Sequence, residues 1–442
     1  MQTETLTATE SQIQALKTPA PSRAAWSFPA LLGFRFAFVY LVLYSFPGPL
    51  AFISGVNSLF DWYYKAWRPG VTWTATHIFH RALPYNPNGS DTLQQNLQCL
   101  LMVVIAVAAM TVWSVLDRKR GEYRSLHQWL RLYVRLTLGA ALLIYGADKV
   151  IKVQFPNPFL WRLLQPYGDS EPMGLLWTFM GYSRSYNIFT GLVEMAGGAL
   201  LMAPRLATLG ALVSLGAMAN VFMLNVSYGV TVKLYSLHLL LMSGFLLLPE
   251  LSRLGRIFIL NRPAQPVMAP PLFRRRALSL SVLLVQLLFL VYCAGSDLWQ
   301  AQQRFTQFGD DAPKPPLYGI YAVDEFVVDG KPRPPAFNDE TRWRRFVFDR
   351  FSLVGIEQAE GSIQRYQQTL DLKAKTLQLR KSGDPNWKAA FTIEPDAPSL
   401  GLIKLSGDMD GKQIRATLRK LDLTFPLYNR GFHWISEFPY NR

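Results

Sequence analysis

Glu194 stands inside a nearly unbroken apolar run, Ile188–Ala203, where an ionisable carboxylate is most costly. A charge held within a lipid-spanning helix faces a protein interior, takes a partner or a proton, and marks a functional site. Upstream, Arg135-Leu-Thr-Leu-Gly139 leads to Tyr145-Gly146-Ala-Asp148-Lys149; downstream, Lys233-Leu-Tyr-Ser-Leu-His238 ends on an imidazole. At 1.5 Å per helical residue, Glu194 and His238 lie roughly 10 and 12 Å below one end of their apolar runs, and Asn220 roughly 7 Å. Asp148 and Lys149 close the preceding run on that same side. Five polar groups from four runs thus share one half of the membrane thickness, and a helical bundle would bring them into one pocket. Lys149 would supply the charge and His238 a hydrogen bond. Two readings stand: a helix–helix clamp, worth about 0.6 kcal/mol on average, or a site for a ligand or a proton. Gly191, Ala196, Gly197 and Gly198 flank the carboxylate and suit close helix packing under either.

The elements that must position these groups follow from hydropathy. A helix crossing about 30 Å of hydrocarbon needs roughly 20 apolar residues. Seven stretches meet or approach this length: Phe28–Ser54, Gln94–Leu116, Trp129–Tyr145, Ile188–Ala203, Leu206–Asn225, Val230–Leu248 and Ala277–Cys293. Met173–Met180 is too short to span and reads as re-entrant or interfacial. Basic residues follow the second run (Arg118, Lys119, Arg120, Arg124), the fourth (Arg205) and the sixth (Arg253, Arg256, Arg262, Arg274, Arg275, Arg276). All three sets fall on one side if the N-terminus is cytoplasmic, as the bias of Lys and Arg toward cytoplasmic loops requires. The C-terminal region then lies outside an inner (plasma) membrane, in a periplasmic or extracellular space. Arg35 and Arg135, roughly 9–10 Å in from the cytoplasmic face, read as side chains snorkelling to the interface. The outer loop Asn57–Asp91 carries Phe60, Trp62, Tyr63, Tyr64, Trp67 and Trp73, types that favour the headgroup layer.

Composition excludes several functions. The net charge of +15 sits in short loops between apolar runs, not on a domain face, which argues against nucleic-acid binding. Residues 1–27 are polar and lack the apolar core and cleavage site of a signal peptide. Cys99 and Cys293 show no Cys-x-x-Cys spacing and read as buried thiols, with a disulfide between them left open. His77 and His80 have helical metal-pair spacing, but nothing nearby completes a ligand set. Only His238 is intramembrane, against the two axial histidines of a bundle that binds haem. No metal site and no cofactor motif is evident.

Beyond Asp297 the period changes. Gly319–Val328, Arg345–Asp349, Thr376–Arg380, Ala389–Ile393, Gly401–Leu405 and Gln413–Arg419 alternate or run apolar as strands do, with Asp329-Gly330 and Asp410-Gly411 as hairpin turns. A mainly β domain of about 130 residues, a meander or small barrel, is expected. Asp310–Pro316 reads as a stiff linker. Arg430, His433, Trp434 and Glu437 mix charge and aromatic character and could line a ligand mouth, or simply pack to close a barrel end.

The pattern Arg135-xxx-Gly139, Gly146-xx-Lys149 and then Gly191-xx-Glu194-xx-Gly197-Gly198 resembles the DoxX family of four-helix membrane proteins over about residues 131–249. The resemblance implies a link to quinone-coupled oxidation and to redox or envelope protein partners; Arg135, Lys149 and Glu194 are the residues matching the family pattern. The two leading runs faintly resemble the membrane module of vitamin K-dependent carboxylase-like proteins, and the Gly-x-Tyr opening of the outer domain is weakly lipocalin-like. The expected order is a polar cytoplasmic segment (1–27), a two-span module (28–128), a DoxX-like four-span bundle (129–250), a basic loop with a seventh span (251–296), a linker (297–317) and a β-rich outer domain (318–442). The expected function is a redox-associated, quinone-linked membrane subunit. The alternatives are an envelope protein binding a lipid or small molecule in its β domain, or a membrane scaffold.

Overall fold

The computed structural model describes residues 25–84, 90–265, 272–273, 275–336, 339–381, 383–396 and 401–438. Residues 1–24 of the polar N-terminal segment, and Arg274 of the basic loop, lie outside the described residues. Among the described residues, six helical stretches are long and apolar enough to cross a membrane: Phe28–Phe52, Leu93–Leu116, Arg124–Val150, Ala207–Ser227, Lys233–Ile259 and Arg276–Phe308. The fourth expected run is also a helix, Arg184–Met202. Arg184, Asn187 and Glu194 make it less apolar than those six.

The chain divides into two compact units, the first comprising residues up to Thr137 together with 265–281. It holds helices α1 (Phe28–Ser45), α2 (Asp61–Trp73) and α3 (Leu93–Leu116). Thr92 starts α3 with a capping box: its hydroxyl accepts from Gln95 N, and the Gln95 side chain accepts from Thr92 N. Arg35 does not snorkel. Its guanidinium is 2% exposed and donates to Tyr123 Oη (2.9 Å), Ser114 Oγ (2.8 Å) and Asp117 O (3.0 Å). The last of these is a carbonyl at the end of α3, where a cation satisfies an otherwise orphaned acceptor. The aromatic loop folds as α2, with Trp62, Tyr64 and Trp73 exposed; His77 stacks on Trp73 at 5.3 Å. Both cysteines are free thiols.

The second unit contains the rest: the later part of α4 (Arg124–Val150), α5 (Pro172–Tyr182), α6 (Arg184–Met202), α7 (Ala207–Ser227), α8 (Lys233–Leu247), most of α9 (Arg276–Phe308) and the β domain. Small residues set its helix packing. A Cβ on Gly139 would sit 3.0 Å from Gly198 O, and one on Gly198 2.7 Å from Gly139 O. Seven residues along, Gly146 and Gly191 face each other equally closely, at 2.7 and 2.6 Å. Two turns of contact at one register bring α4 and α6 together antiparallel, backbone against backbone, a geometry that side chains would forbid. Gly197 meets Ser214, and Gly210 meets Leu201 N, so α7 packs on α6 in the same way.

The β domain closes on itself. Its strands are β1 (Gly319–Val328), β2 (Lys331–Pro332), β3 (Trp343–Phe348), β4 (Leu353–Gln358), β5 (Ile363–Asp371), β6 (Thr376–Lys381), β7 (Asp384–Asp396), β8 (Leu402–Met409) and β9 (Lys412–Leu421). Apart from the two-residue β2, each pairs antiparallel with the next, and β9 pairs with β1, giving an eight-stranded barrel. Both Asp-Gly pairs turn as expected, with positive φ at Asp329 and Gly330 and at Asp410 and Gly411. The interior is filled by side chains from all eight strands, with Trp343, Phe346, Phe348, Tyr366 and Phe391 packed against the aliphatic residues. The sequence reading missed β4 and β5. In β5, Gln364, Arg365, Gln367 and Gln368 alternate with little apolar signal, although Tyr366 and Gln368 point inward and are buried. It also placed Asp297–Phe308 in a linker, whereas α9 continues to Phe308.

The barrel is fastened to the bundle at one end. The register pairs Gly319 with Phe348 and Ile320 with Leu421, so chain entry, the end of β3 and chain exit share that rim. Asp310, at the head of the expected linker, receives Lys152 Nζ (2.5 Å), Asn157 N (2.7 Å) and Arg350 Nη1 (3.2 Å). Arg350 Nη2 also donates to Asn157 O at 2.5 Å, and Asp349 accepts from Trp161 N at 3.2 Å. Trp161 covers the outer face of the barrel at Gly355, where an added Cβ would lie 3.0 Å from Trp161 Cβ. Burial pushes the Lys152 ammonium down from its ordinary value, while Asp310 pulls it back up.

Two predictions test this packing. Gly146→Leu overpacks the α4–α6 contact and should cost about 1–3 kcal/mol, seen as a lower melting temperature in detergent, whereas Gly244→Ala, where a Cβ meets nothing within 4 Å, should not lower it. Burial raises the Asp349 carboxyl above its ordinary 3.8, against donors that hold it down. A raised carboxyl contributes stability that is present below 3.8 and lost as pH rises through the folded value. Melting of Asp349→Asn relative to wild type is therefore expected to shift in favour of the variant as pH goes from 4 to 7.

Candidate functional site

Glu194 and Lys149 meet. The glycine contacts set α4 and α6 so close that Lys149, one turn beyond Gly146, reaches the carboxylate three residues past Gly191. Lys149 Nζ lies 2.8 Å from Glu194 Oε1 and 2.6 Å from Oε2, and both residues are buried. In a low-dielectric interior each charge is tolerable only because of the other.

The pair lies on one wall of a half-open cavity of about 430 Å³, lined by α4 to α8, the loop after α4 and the turn before α8. Its lining is mainly apolar and aromatic, with Tyr145, Phe155, Trp177, Phe189 and Tyr235 prominent. Besides the tyrosines, the polar residues lining it are the ion pair, Gln154, Thr190, Asn220, Asn225, Thr231 and Ser236. Asn225 Nδ2 donates to Ser236 Oγ at 3.0 Å, tying α7 to α8. Gln154 Oε1 is buried and accepts no hydrogen bond from the protein. An apolar chamber with a few convergent polar groups is the usual form of a small-molecule site.

The other expected members separate. Asn220 lines the cavity at its exposed edge. Asp148 turns away from the pair and accepts from Arg304 Nη2 (2.6 Å) and Nη1 (3.1 Å) of α9. His238 is buried but is absent from the cavity lining. Its Nδ1 lies 2.6 Å from Leu234 O of its own helix; a carbonyl only accepts, so Nδ1 carries the proton. Arg135 is half-buried, belongs to the first unit and is absent from the cavity lining. Arg430, His433, Trp434 and Glu437 are exposed and follow the last strand, outside the filled barrel interior. Among the described residues no cluster of three or more His, Cys, Asp or Glu could hold a metal ion.

Sequence reasoning overlooked Gln154, Asn225, Ser236, Tyr145 and Tyr235. The two tyrosines, with ring centroids 5.8 Å apart, stood inside the quoted motifs. Their aromatic character hid them among core residues. Gln154 follows the end of α4, where no periodicity marks a position as inward.

No known family profile matches the chain, and no solved structure matches it. Over 127 residues it is 30% identical to the uncharacterized protein YwoB of Bacillus subtilis (strain 168), a stretch covering 28% of this chain and 79% of that protein.

Glu194→Gln leaves Lys149 as a buried, half-paired cation, which should destabilise the protein by about 3–5 kcal/mol. The double replacement Lys149→Met with Glu194→Leu should recover most of that loss. Thermal melting of the three proteins in one detergent checks both.

Proposed function

The chain belongs to the family of that Bacillus protein, whose name assigns it no activity, and we propose that it is an integral membrane protein whose helical cavity binds a quinone-type molecule. The single observation that carries this reading is the buried Lys149–Glu194 pair on the wall of an aromatic chamber of about 430 Å³. A quinone offers a flat apolar ring with carbonyls that accept hydrogen bonds. Lys149 has three N–H donors, of which Glu194 engages two; the third can serve a carbonyl. Gln154 Oε1, without a donor from the protein, suits the hydroxyl of the reduced form. Aromatic side chains give the ring faces to lie against. The DoxX resemblance supports the same reading, with this chain as the quinone-binding subunit and a separate protein as electron donor.

The proposed topology has seven spans, counting α6. Glu194 is enclosed there by α4 and α7, so lipid need not meet its charge. The basic loops place the N-terminus in the cytoplasm and the barrel outside the inner (plasma) membrane. The filled barrel interior speaks against a lipid or small molecule held within it. A scaffold role is the second reading, favoured by the burial of the Lys149–Glu194 pair between α4 and α6, where it can act as a helix–helix clamp.

Binding of a short-chain benzoquinone to the full-length protein in nanodiscs tests the first reading. Val221→Trp fills the cavity from α7 and should abolish binding while leaving the melting temperature near that of wild type. Absence of binding to wild type, or unchanged binding to the variant, overturns the quinone site and leaves the scaffold.

A further inference from the structure

We propose that the segment after the last strand, residues 430–438, is an interfacial anchor that lies in the lipid headgroup layer beside the bundle. The inference rests on the reading of the helices as membrane-inserted and goes beyond it, since nothing in the cavity involves this segment. Phe432 (84% exposed), Trp434 (89%), Ile435 (75%) and Phe438 (83%) are the most exposed run of large apolar side chains in the second unit. The barrel core is complete without them. A soluble domain that left four such residues in water within seven positions would be prone to association.

Placement identifies what covers them. Leu421, the end of β9, pairs with Ile320, so the tail leaves the barrel at the rim facing the bundle and not at the rim of the Asp329-Gly330 and Asp410-Gly411 turns. Tyr428, in the short helix Pro426–Asn429, then lies beside Asn157, the residue that binds Asp310 and Arg350. Asn157 Oδ1 accepts from Lys152 Nζ at 2.5 Å, two residues beyond the end of α4 at Val150. The tail therefore starts level with the ends of the spanning helices. At that same end of the bundle, Tyr167, Phe179, Tyr182 and Tyr186 are exposed, on α5, the loop before it and the first turn of α6. Trp and Tyr favour this depth because one edge of the ring is apolar and the other can bond to water or lipid. Arg430, His433 and Glu437 alternate with the apolar residues, the mixture expected of a segment lying along a membrane surface. The committed occupant is the bilayer itself; a second protein is the competing outcome.

The test uses the full chain in nanodiscs containing lipids brominated near the head group. Wild type carries twelve tryptophans, and Trp434→Phe removes one exposed ring while keeping the segment aromatic. The difference spectrum is expected to be blue-shifted and to lose most of its intensity with brominated lipid, and acrylamide should quench it only weakly. A red-shifted difference spectrum that acrylamide quenches and brominated lipid does not would place the tail in water and overturn the proposal. A blue-shifted one that neither quencher reaches would place it against protein, with the same consequence. The remaining tryptophans report the underlying reading independently. If they too resist lipids brominated along the acyl chains, the bundle is not inserted; if they are quenched while Trp434 is not, only the anchor fails.

Discussion

The end of α4 carries the charge pairing on which the second unit depends. Within five positions, Asp148 binds Arg304 of α9, Lys149 binds Glu194 of α6, and Lys152 binds Asp310 at the head of the β domain. Lys152 takes positive φ, ending the helix, and so points differently from the two residues before it. Three ion pairs thus radiate from about one turn to three separate elements. Two of them, Lys149–Glu194 and Lys152–Asp310, are buried, so removing one partner strands the other charge at a cost that exceeds the net value of the pair; Arg304 is partly exposed and remains solvated without Asp148. The arrangement fixes orientation more than it adds stability.

Close backbone packing is the condition for this. Gly139 with Gly198, and Gly146 with Gly191, let α4 and α6 touch at one register, and only that register brings the lysine to the carboxylate. The aromatic cavity opens beside that contact, lined by Leu142, Tyr145 and Lys149 of α4 together with residues of α5 to α8. The glycines that seat the two helices thus also set the pair on the cavity wall.

Much of this was legible without coordinates. The Glu194–Lys149 encounter was legible because a buried charge requires its opposite, although counting along the helices set Glu194 roughly 10 Å below the end of its run and Lys149 at the end of the preceding one. The barrel followed from alternation and two Asp-Gly turns. Depth alone could not give azimuth: His238 sits at a suitable height but bonds Leu234 of its own helix, and Asp148, adjacent to Lys149, faces α9 instead. One residue along a helix is 100° of rotation, so neighbours in sequence serve different partners. Arg35 misled for another reason. Snorkelling is the default for a lone arginine, yet Tyr123, Ser114 and the α3 carbonyl end offered a complete set of acceptors that no local pattern reveals. β5 escaped notice because its inward positions include Gln368, so polarity did not alternate with facing.

Closure of the barrel by β1 against β9 joins Ile320 to Leu421, strands separated by nearly the whole domain. Until β9 is synthesised, β1 remains an open edge and the aromatic interior lacks a wall. The domain cannot mature strand by strand behind the helices; it must wait for its last segment to emerge and then complete itself in a single late event. Any chain that stops short of β9 would thus present unpaired edges beside an already formed bundle, a difference that surveillance proteases could read directly.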